Sequence, residues 1–315
     1  MKTFGTLDAH VAGEAIRLVA DGGPAVPGRT MHDKLAWART HADKLRRLLM
    51  LEPRGHAGMH GALLTEPVTP GAHAGILFMN AAGFPAFSGE GVMAAVTLAV
   101  DHTLIHAESD ELLIDTPAGP VRALRERSES RGIALTGVPS FALSAGLPVQ
   151  LGTRAVRVDI AFGGECYAVV DSESVGVTID AAHAPQLVRA GMEISAAVKN
   201  AKEVQGTIFT GPARGAADLR TATVLQGGIL KRSPGAAGTC ALLAVLDAMG
   251  LLEINQVFTH EGVSGTTLKG RVSSRQPATD EMPALIVPIV EGTAWYTGRS
   301  EFHVDDQDRL DPFAM

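Results

Sequence analysis

The chain is poor in aromatic residues and in cysteine. Phe, Trp and Tyr together make 4% of its 315 residues, and only two cysteines occur, Cys166 and Cys240. A core with so few rings must be built from Ala, Val, Leu and Ile. Two cysteines this far apart form no disulfide framework and no metal-binding spacing. Free Cys is commonly buried, so each is expected as an inert core thiol. No set of His, Cys, Asp and Glu has usable ligand spacing, and no metal is expected. Long apolar runs are missing too, so no transmembrane helix is expected. The opening MKTFGTLDAHVAGE has no apolar signal core, which makes cytoplasm the default location. Positive charge is also short. A net charge of −7 argues against nucleic acid, which wants a basic face.

What is present suits a compact α/β protein. Hydrophobic residues make 46% and charged residues 19%, outside the range of disordered chains. The length is comfortable for two domains, and 35 glycines predict many tight turns between short strands. AIRLVADG, GALLTEPV and HAGILFMNAAG read as strands. So do ELLIDTPAGPVRALRE, GIALTGVPS, RVDIAFGGECYAVVD, GTIFTGP and LRTATVLQGGILKRS. Residues 31–51 read as one amphipathic helix with a solvated basic outer face, and residues 184–201 as a second surface helix.

Two further segments are alike. Ser88-Gly89-Glu90-Gly91 opens into an apolar helix expected over 91–105. Gly235-Ala236-Ala237-Gly238 opens into another, expected over 238–251. Displaced by 147 residues, Ser88 falls on Gly235 and Ala94 on Ala241, with both helices in phase. The flanking order of strands and surface helix repeats as well. Two copies of one α/β unit would bring two helix N-termini to a shared cleft, the usual place for a small-molecule site. Helix starts present unpaired N–H groups and positive dipole ends that hold a carboxylate.

DAHVAGEAIRLV, EPRGHAGMHGALL, FGGECYAVVD, IFTGP, KRSPGAAGT and EGTAWYTG follow one another in an order that resembles the proline racemase family. That family includes 4-hydroxyproline epimerases and trans-3-hydroxyproline dehydratases, and the resemblance spans essentially the whole chain. It implies a diaminopimelate-epimerase-like fold of two pseudo-symmetric halves, each a curved sheet around a central helix. The halves are expected at 1–128, with 297–315 returning to the first, and at 129–296. It also implies cofactor-independent chemistry on a small amino or imino acid, with no nucleic acid or membrane partner. A homodimer is compatible with it. In the family, one cysteine at each glycine turn serves each face of the α-carbon. One thiolate takes the α-proton and the opposite thiol returns one, while the turns hold the carboxylate.

This sequence departs from that pattern where the chemistry belongs. The family's C-G-H at the first turn is Ser88-Gly89-Glu90, and the D-R-S-P-C-G-T-G-T of the second is Lys231-Arg232-Ser233-Pro234-Gly235-Ala236-Ala237-Gly238-Thr239. The first thiol position is therefore Ser88, and the second, Gly235, has no side chain. Gly89, Glu90, Gly91, Lys231, Ala236, Ala237 and Gly238 are the expected ligand-binding residues. Ser88 reads either as a weak base needing help or as an N-cap. Glu90 reads as that helper or as a partner for a substrate ammonium. Lys231 and Glu90 together read as a salt bridge, as a charge swap that reorients the ligand, or with Lys231 itself as the base. Proline racemase and 4-hydroxyproline epimerase activities are expected to be absent. Three outcomes stay open: an unassigned reaction, a one-base dehydratase working through Ser88, and non-catalytic binding. His10, Glu14 and His56 read as scaffold, and His60 has no identifiable partner.

Overall fold

The structure is a computed structural model that describes residues 2–126, 132–280, 282–305, 307–310 and 312. Two compact units emerge, Met1–Leu135 with Gly292–Met315, and Thr136–Glu291. The chain changes unit within β7 (Gly132–Thr136) and within β16 (Leu285–Val304), where the sequence put 128/129 and 296/297.

The first unit contains β1 (Lys2–Val11), β2 (Glu14–Asp21), α1 (Met31–His41), α2 (Asp43–Met50), β3 (His60–Thr65) and β4 (Ala74–Asn80). It continues with α3 (Gly89–Asp101), β5 (Glu111–Thr116) and β6 (Gly119–Arg125). The turn from β1 to β2 is Ala12-Gly13, both at positive φ, the two-residue geometry that suits the twist of an antiparallel hairpin. The pairing runs antiparallel β1–β2, parallel β2–β3, antiparallel β3–β4, parallel β4–β5 and antiparallel β5–β6. The later part of β16 adds to β1, from Val11↔Ala294 to Lys2↔Val304.

The second unit contains β8 (Phe141–Leu151), β9 (Arg154–Phe162), β10 (Cys166–Asp171), α4 (Ser172–Val175), α5 (Ala184–Val198) and β11 (Gly206–Gly211). It continues with β12 (Leu219–Leu225), β13 (Ile229–Leu230), α6 (Ala236–Ala248), β14 (Phe258–Glu261) and β15 (Thr267–Gln276). From β9 the ladder reads antiparallel β9–β10, parallel β10–β11, antiparallel β11–β12, parallel β12–β14 and antiparallel β14–β15. This is the same alternation as in the first unit. The helices match as well: α3 and α6 start at Gly89 and Ala236, the 147-residue offset seen in the sequence, and each has 13 residues.

Each sheet is sandwiched between helices. In the first unit α1 and α2 cover a core of Val19, Leu49, Leu63, Leu77 and Met79. α3 lies on the other face, its first turn over the Phe78 ring. In the second, α5 covers Val170, Phe209, Ala222 and Val224, and α6 takes the other face. α6 comes close to the β9–β10 turn, because a Cβ at Gly163 would lie 2.4 Å from Ala237 O and Ala241 N. That contact accounts for the glycine in FGGECYAVVD.

The expected helix over 31–51 is two helices. Thr30 and Asp33 form a capping box that starts α1, and Ala42 (φ −107°, ψ 4°) breaks the run. Its basic face is not wholly solvated either, since Lys34 and Arg46 are buried. Lys34 Nζ donates to Glu66 O, and burial pushes its ammonium below the usual lysine range, with the Glu66 and Asp115 carboxylates opposing. The other helices run 89–101, 236–248 and 184–198 rather than 91–105, 238–251 and 184–201.

Arg46 links α2 to the segment entering α3. Nε donates to Asp43 Oδ1 at 2.7 Å, and Nη1 to Asn80 O at 2.9 Å and Ala81 O at 2.6 Å. Removing the guanidinium would leave these carbonyls without their donor. Arg46→Met is expected to cost about 2–3 kcal/mol and to speed amide exchange through residues 81–84. Denaturant unfolding and hydrogen exchange check this; unchanged stability and protection would refute the anchoring role.

Candidate functional site

In the first unit the turn before α3 is held from several sides. Asn80 Oδ1 accepts from Ala82 N and Gly83 N, both at 2.9 Å, and Arg39 Nη2 donates to Phe84 O. Phe87 sets its ring edge-on to Phe78, 6.2 Å between centroids. The chain then reaches Ser88, the N-cap, with extended backbone (φ −149°, ψ 108°). Ser88 Oγ accepts from Gly91 N at 3.1 Å, and Ser88 O from Val92 N at 2.9 Å. A Cβ at Gly91 would stand 2.8 Å from Phe78 Cδ1 and 2.9 Å from Ser88 Oγ, so any larger residue there disturbs the cap. Glu90 is buried at 2% exposure, its carboxyl in the first turn of α3.

The second unit builds its turn differently. Lys231 N donates to Thr223 O at 2.8 Å, and Gly235 N to Ser233 Oγ at 3.2 Å. Gly235 is the N-cap of α6 and has φ +85°, a conformation that disfavours a side chain. It supplies no capping side chain, so the first N–H groups of α6 meet no acceptor from their own cap, whereas Ser88 already takes one in α3. Gly235 O accepts from Thr239 N at 2.7 Å and from Thr239 Oγ1 at 2.8 Å. His260, 1% exposed, bridges Thr239 Oγ1 (2.7 Å from Nε2) and Thr221 Oγ1 (3.2 Å from Nδ1). A Cβ built at Gly235 would lie 3.4 Å from Lys231 Nζ, 3.6 Å from Cε and 3.7 Å from Cδ. The buried Lys231 side chain thus runs past the space that Gly235 leaves open.

Ser88, Gly89, Glu90 and Gly91 are therefore gathered at the start of α3, and Lys231, Gly235, Ala236, Ala237 and Gly238 at the start of α6. Sequence reading missed a pair in the first unit, a buried Glu14 and a half-buried His60. His60 Nε2 lies 3.5 Å from Glu14 Oε1, which gives His60 the partner that sequence reading could not name. Ile16 pairs with His60 and Ala62 with Phe78, so strand alternation puts Glu14 and His60 on the face that carries α3. Parallel pairing of β2 with β3 creates this contact, and no local spacing signals it. His260 is likewise invisible in the sequence. His10 Nδ1 accepts from Gly13 N, a role within its own hairpin.

Cys240 is buried, as expected, but Cys166 is only half-buried. Burial still pushes the Cys166 thiol above the ordinary range, with Lys202 opposing. Among the described residues, no group of three or more His, Cys, Asp or Glu could hold a metal ion. No helix among them is long and apolar enough to cross a membrane.

Comparison with known proteins places this arrangement. The proline racemase family model matches residues 6–315. The chain belongs to the proline racemase family. Within it, a trans-3-hydroxy-L-proline dehydratase of Bacillus cereus is 35% identical, over 98% of this chain and 97% of its own length. A 4-hydroxyproline 2-epimerase of Streptosporangium roseum is 33% identical, over 98% and 96%. A probable proline racemase of Agrobacterium radiobacter K84, solved with bound carbonate, superposes with a TM-score of 0.89 at 29% identity, covering 99% of this chain and 96% of its own. Family members of this kind thus include racemases, epimerases and dehydratases.

Two outcomes follow from the turns and thiols. Ser88→Ala removes the α3 cap and is expected to lower stability by about 1 kcal/mol, read from chemical denaturation; no loss would show that the cap bond contributes nothing. Because the folded-state pKa of Cys166 is raised, its thiolate is scarcer near neutral pH than in a free thiol. Alkylation of native protein by iodoacetamide should therefore be slow near pH 7 and rise through a midpoint above that of a free thiol. A midpoint below it would contradict the burial argument.

Proposed function

We propose that this family member has given up two-thiol racemisation and acts, from one side only, on a small β-hydroxylated imino or amino acid. Gly235 carries the reading. It has no side chain, its φ of +85° disfavours one, and so the second face of the α-carbon has no thiol acid or base. Ser88 supports it from the first unit, since an alcohol ionises far less readily than a thiol and its Oγ is already engaged by Gly91 N. A helix start favours an anion through its dipole, so in this reading ligand binding persists where proton exchange does not.

One-sided chemistry suits elimination. In trans-3-hydroxy-L-proline the hydroxyl and carboxylate lie on opposite faces of the ring, which puts the hydroxyl on the same face as the α-hydrogen. Removing both needs groups on one side only. The 35% identity to a dehydratase named for this substrate adds to the case.

The purified protein is expected to leave L- and D-proline and trans-4-hydroxy-L-proline at their starting configuration, and to release water from trans-3-hydroxy-L-proline. Chiral chromatography and mass spectrometry follow the two outcomes. Changing both thiol positions costs more than the roughly 10²–10⁴-fold of one acid–base group, so robust turnover of proline would overturn the proposal. Should no substrate turn over while an imino acid raises the melting temperature by mass action, the protein is a binder rather than a lyase.

A further inference from the structure

We infer that the second unit holds a binding site separate from the helix starts, a cleft that takes the carboxylate of a small monocarboxylic acid onto Arg220. Arg220 is the second residue of β12 and is only 5% exposed. Its guanidinium stays charged at any working pH and carries five N–H donors. Nη2 donates to Val263 O at 3.3 Å and lies 3.6 Å from Glu261 Oε1. Nε and Nη1, which carry three of the five donors, have no hydrogen-bond partner among the described residues. A buried donor left unpaired costs stability, and more so on a charged group. The same side chain lines a cleft of about 510 Å³, set between the end of β11, the start of β12 and the turn after α4. The donors that the fold leaves unmatched thus belong to the residue at which this cleft ends.

The surroundings decide which ligand fits. An acceptor that meets Nε and Nη1 recovers the unpaired donors, and a carboxylate brings the opposite charge as well. Arg214, at the rim, is already engaged, since its Nη2 donates to Asp180 Oδ2 at 3.1 Å. The acidic side chain of Glu173 lines the same cleft, and Glu261 stands beside the guanidinium. A single guanidinium in that company suits a monoanion better than a phosphate dianion. Val177, Ile179, Pro212 and Ala213 make the walls apolar, which suits a short hydrocarbon body behind the carboxylate. The place is distinct from the start of α6. Arg220 alternates in phase with Ala222 and Val224, which lie under α5. Thr221 points to the opposite face, where it meets His260.

The test uses isovalerate as the probe, with isovaleramide as its uncharged analogue and inorganic phosphate as the dianion. Binding is followed by calorimetry and by NMR of protein carrying ¹⁵N-arginine, with the Arg220 Nε–H signal assigned through its own backbone. Isovalerate is expected to move that signal and to slow its exchange with water, while isovaleramide and phosphate leave it in place. Arg220→Gln and Arg220→Leu should each weaken isovalerate binding by about 10–100-fold, with melting temperature establishing that the variant is folded. Unchanged binding in a folded variant would put the carboxylate elsewhere, at the helix starts included, and overturn the inference. Equal binding of isovaleramide would overturn recognition by charge, and preference for phosphate would overturn the monocarboxylate class. An Arg220 Nε–H signal that isovalerate does not move would overturn the site in the wild-type chain, whether or not the variants fold.

Discussion

A helix that is apolar on every side has only its ends to offer. That constraint governs both units. α3 is buried from Gly89 through Ala99, and α6 from Ala236 through Val245, so neither helix has a wet face for side chains to work from. Their interiors are composed of Ala, Val, Leu and small polar residues packed against sheet. The polar groups these helices present lie at their N-terminal turns, where the backbone itself supplies donors. The glycines of these turns and of their neighbours serve the same end, letting the helices sit close to Phe78 in one unit and to the β9–β10 turn in the other.

The two turns solve the problem of a helix start in opposite ways. At α3 a side chain closes the end: Ser88 takes a backbone N–H and, with Asn80, Arg39 and Arg46, fixes the approach. At α6 the cap residue has no side chain, and order comes from below, through Gly235 O, Thr239, His260 and Thr221. The Gly235 carbonyl is fixed by two bonds from Thr239, one from its N–H and one from its hydroxyl. The ionisable side chains follow the same asymmetry, with Glu90 buried in the first turn of α3 and Lys231 beside the first turn of α6.

Much of this was legible in the sequence because its signals are local. Ser88 and Gly235 each stand directly before an apolar run, and the 147-residue offset aligns two complete helices. The strand order around them repeats because the ladder repeats. Pairings that depend on crossover connections were not legible. Glu14 meets His60 only because β2 and β3 run parallel, and Thr221, Thr239 and His260 meet only when β12, β14 and α6 come together. The break at Ala42 had no glycine or proline to announce it. Lys34 and Arg46 looked like surface charges, since nothing in an amphipathic stretch tells a solvated cation from one that reaches a buried carbonyl. The helix starts at 89 and 236 lie two residues earlier than expected, since the small residues of the first turns read as loop.

The positive φ of Gly235 makes this turn costly to alter. Placing a side chain there is a single substitution on paper, but the backbone holds a geometry that resists one, while the space itself would admit a Cβ at ordinary contact with Lys231. The cost is therefore conformational rather than steric. Any chemistry that a new side chain brought to 235 would have to outweigh that strain first, whereas a change at 231 would meet no such backbone demand.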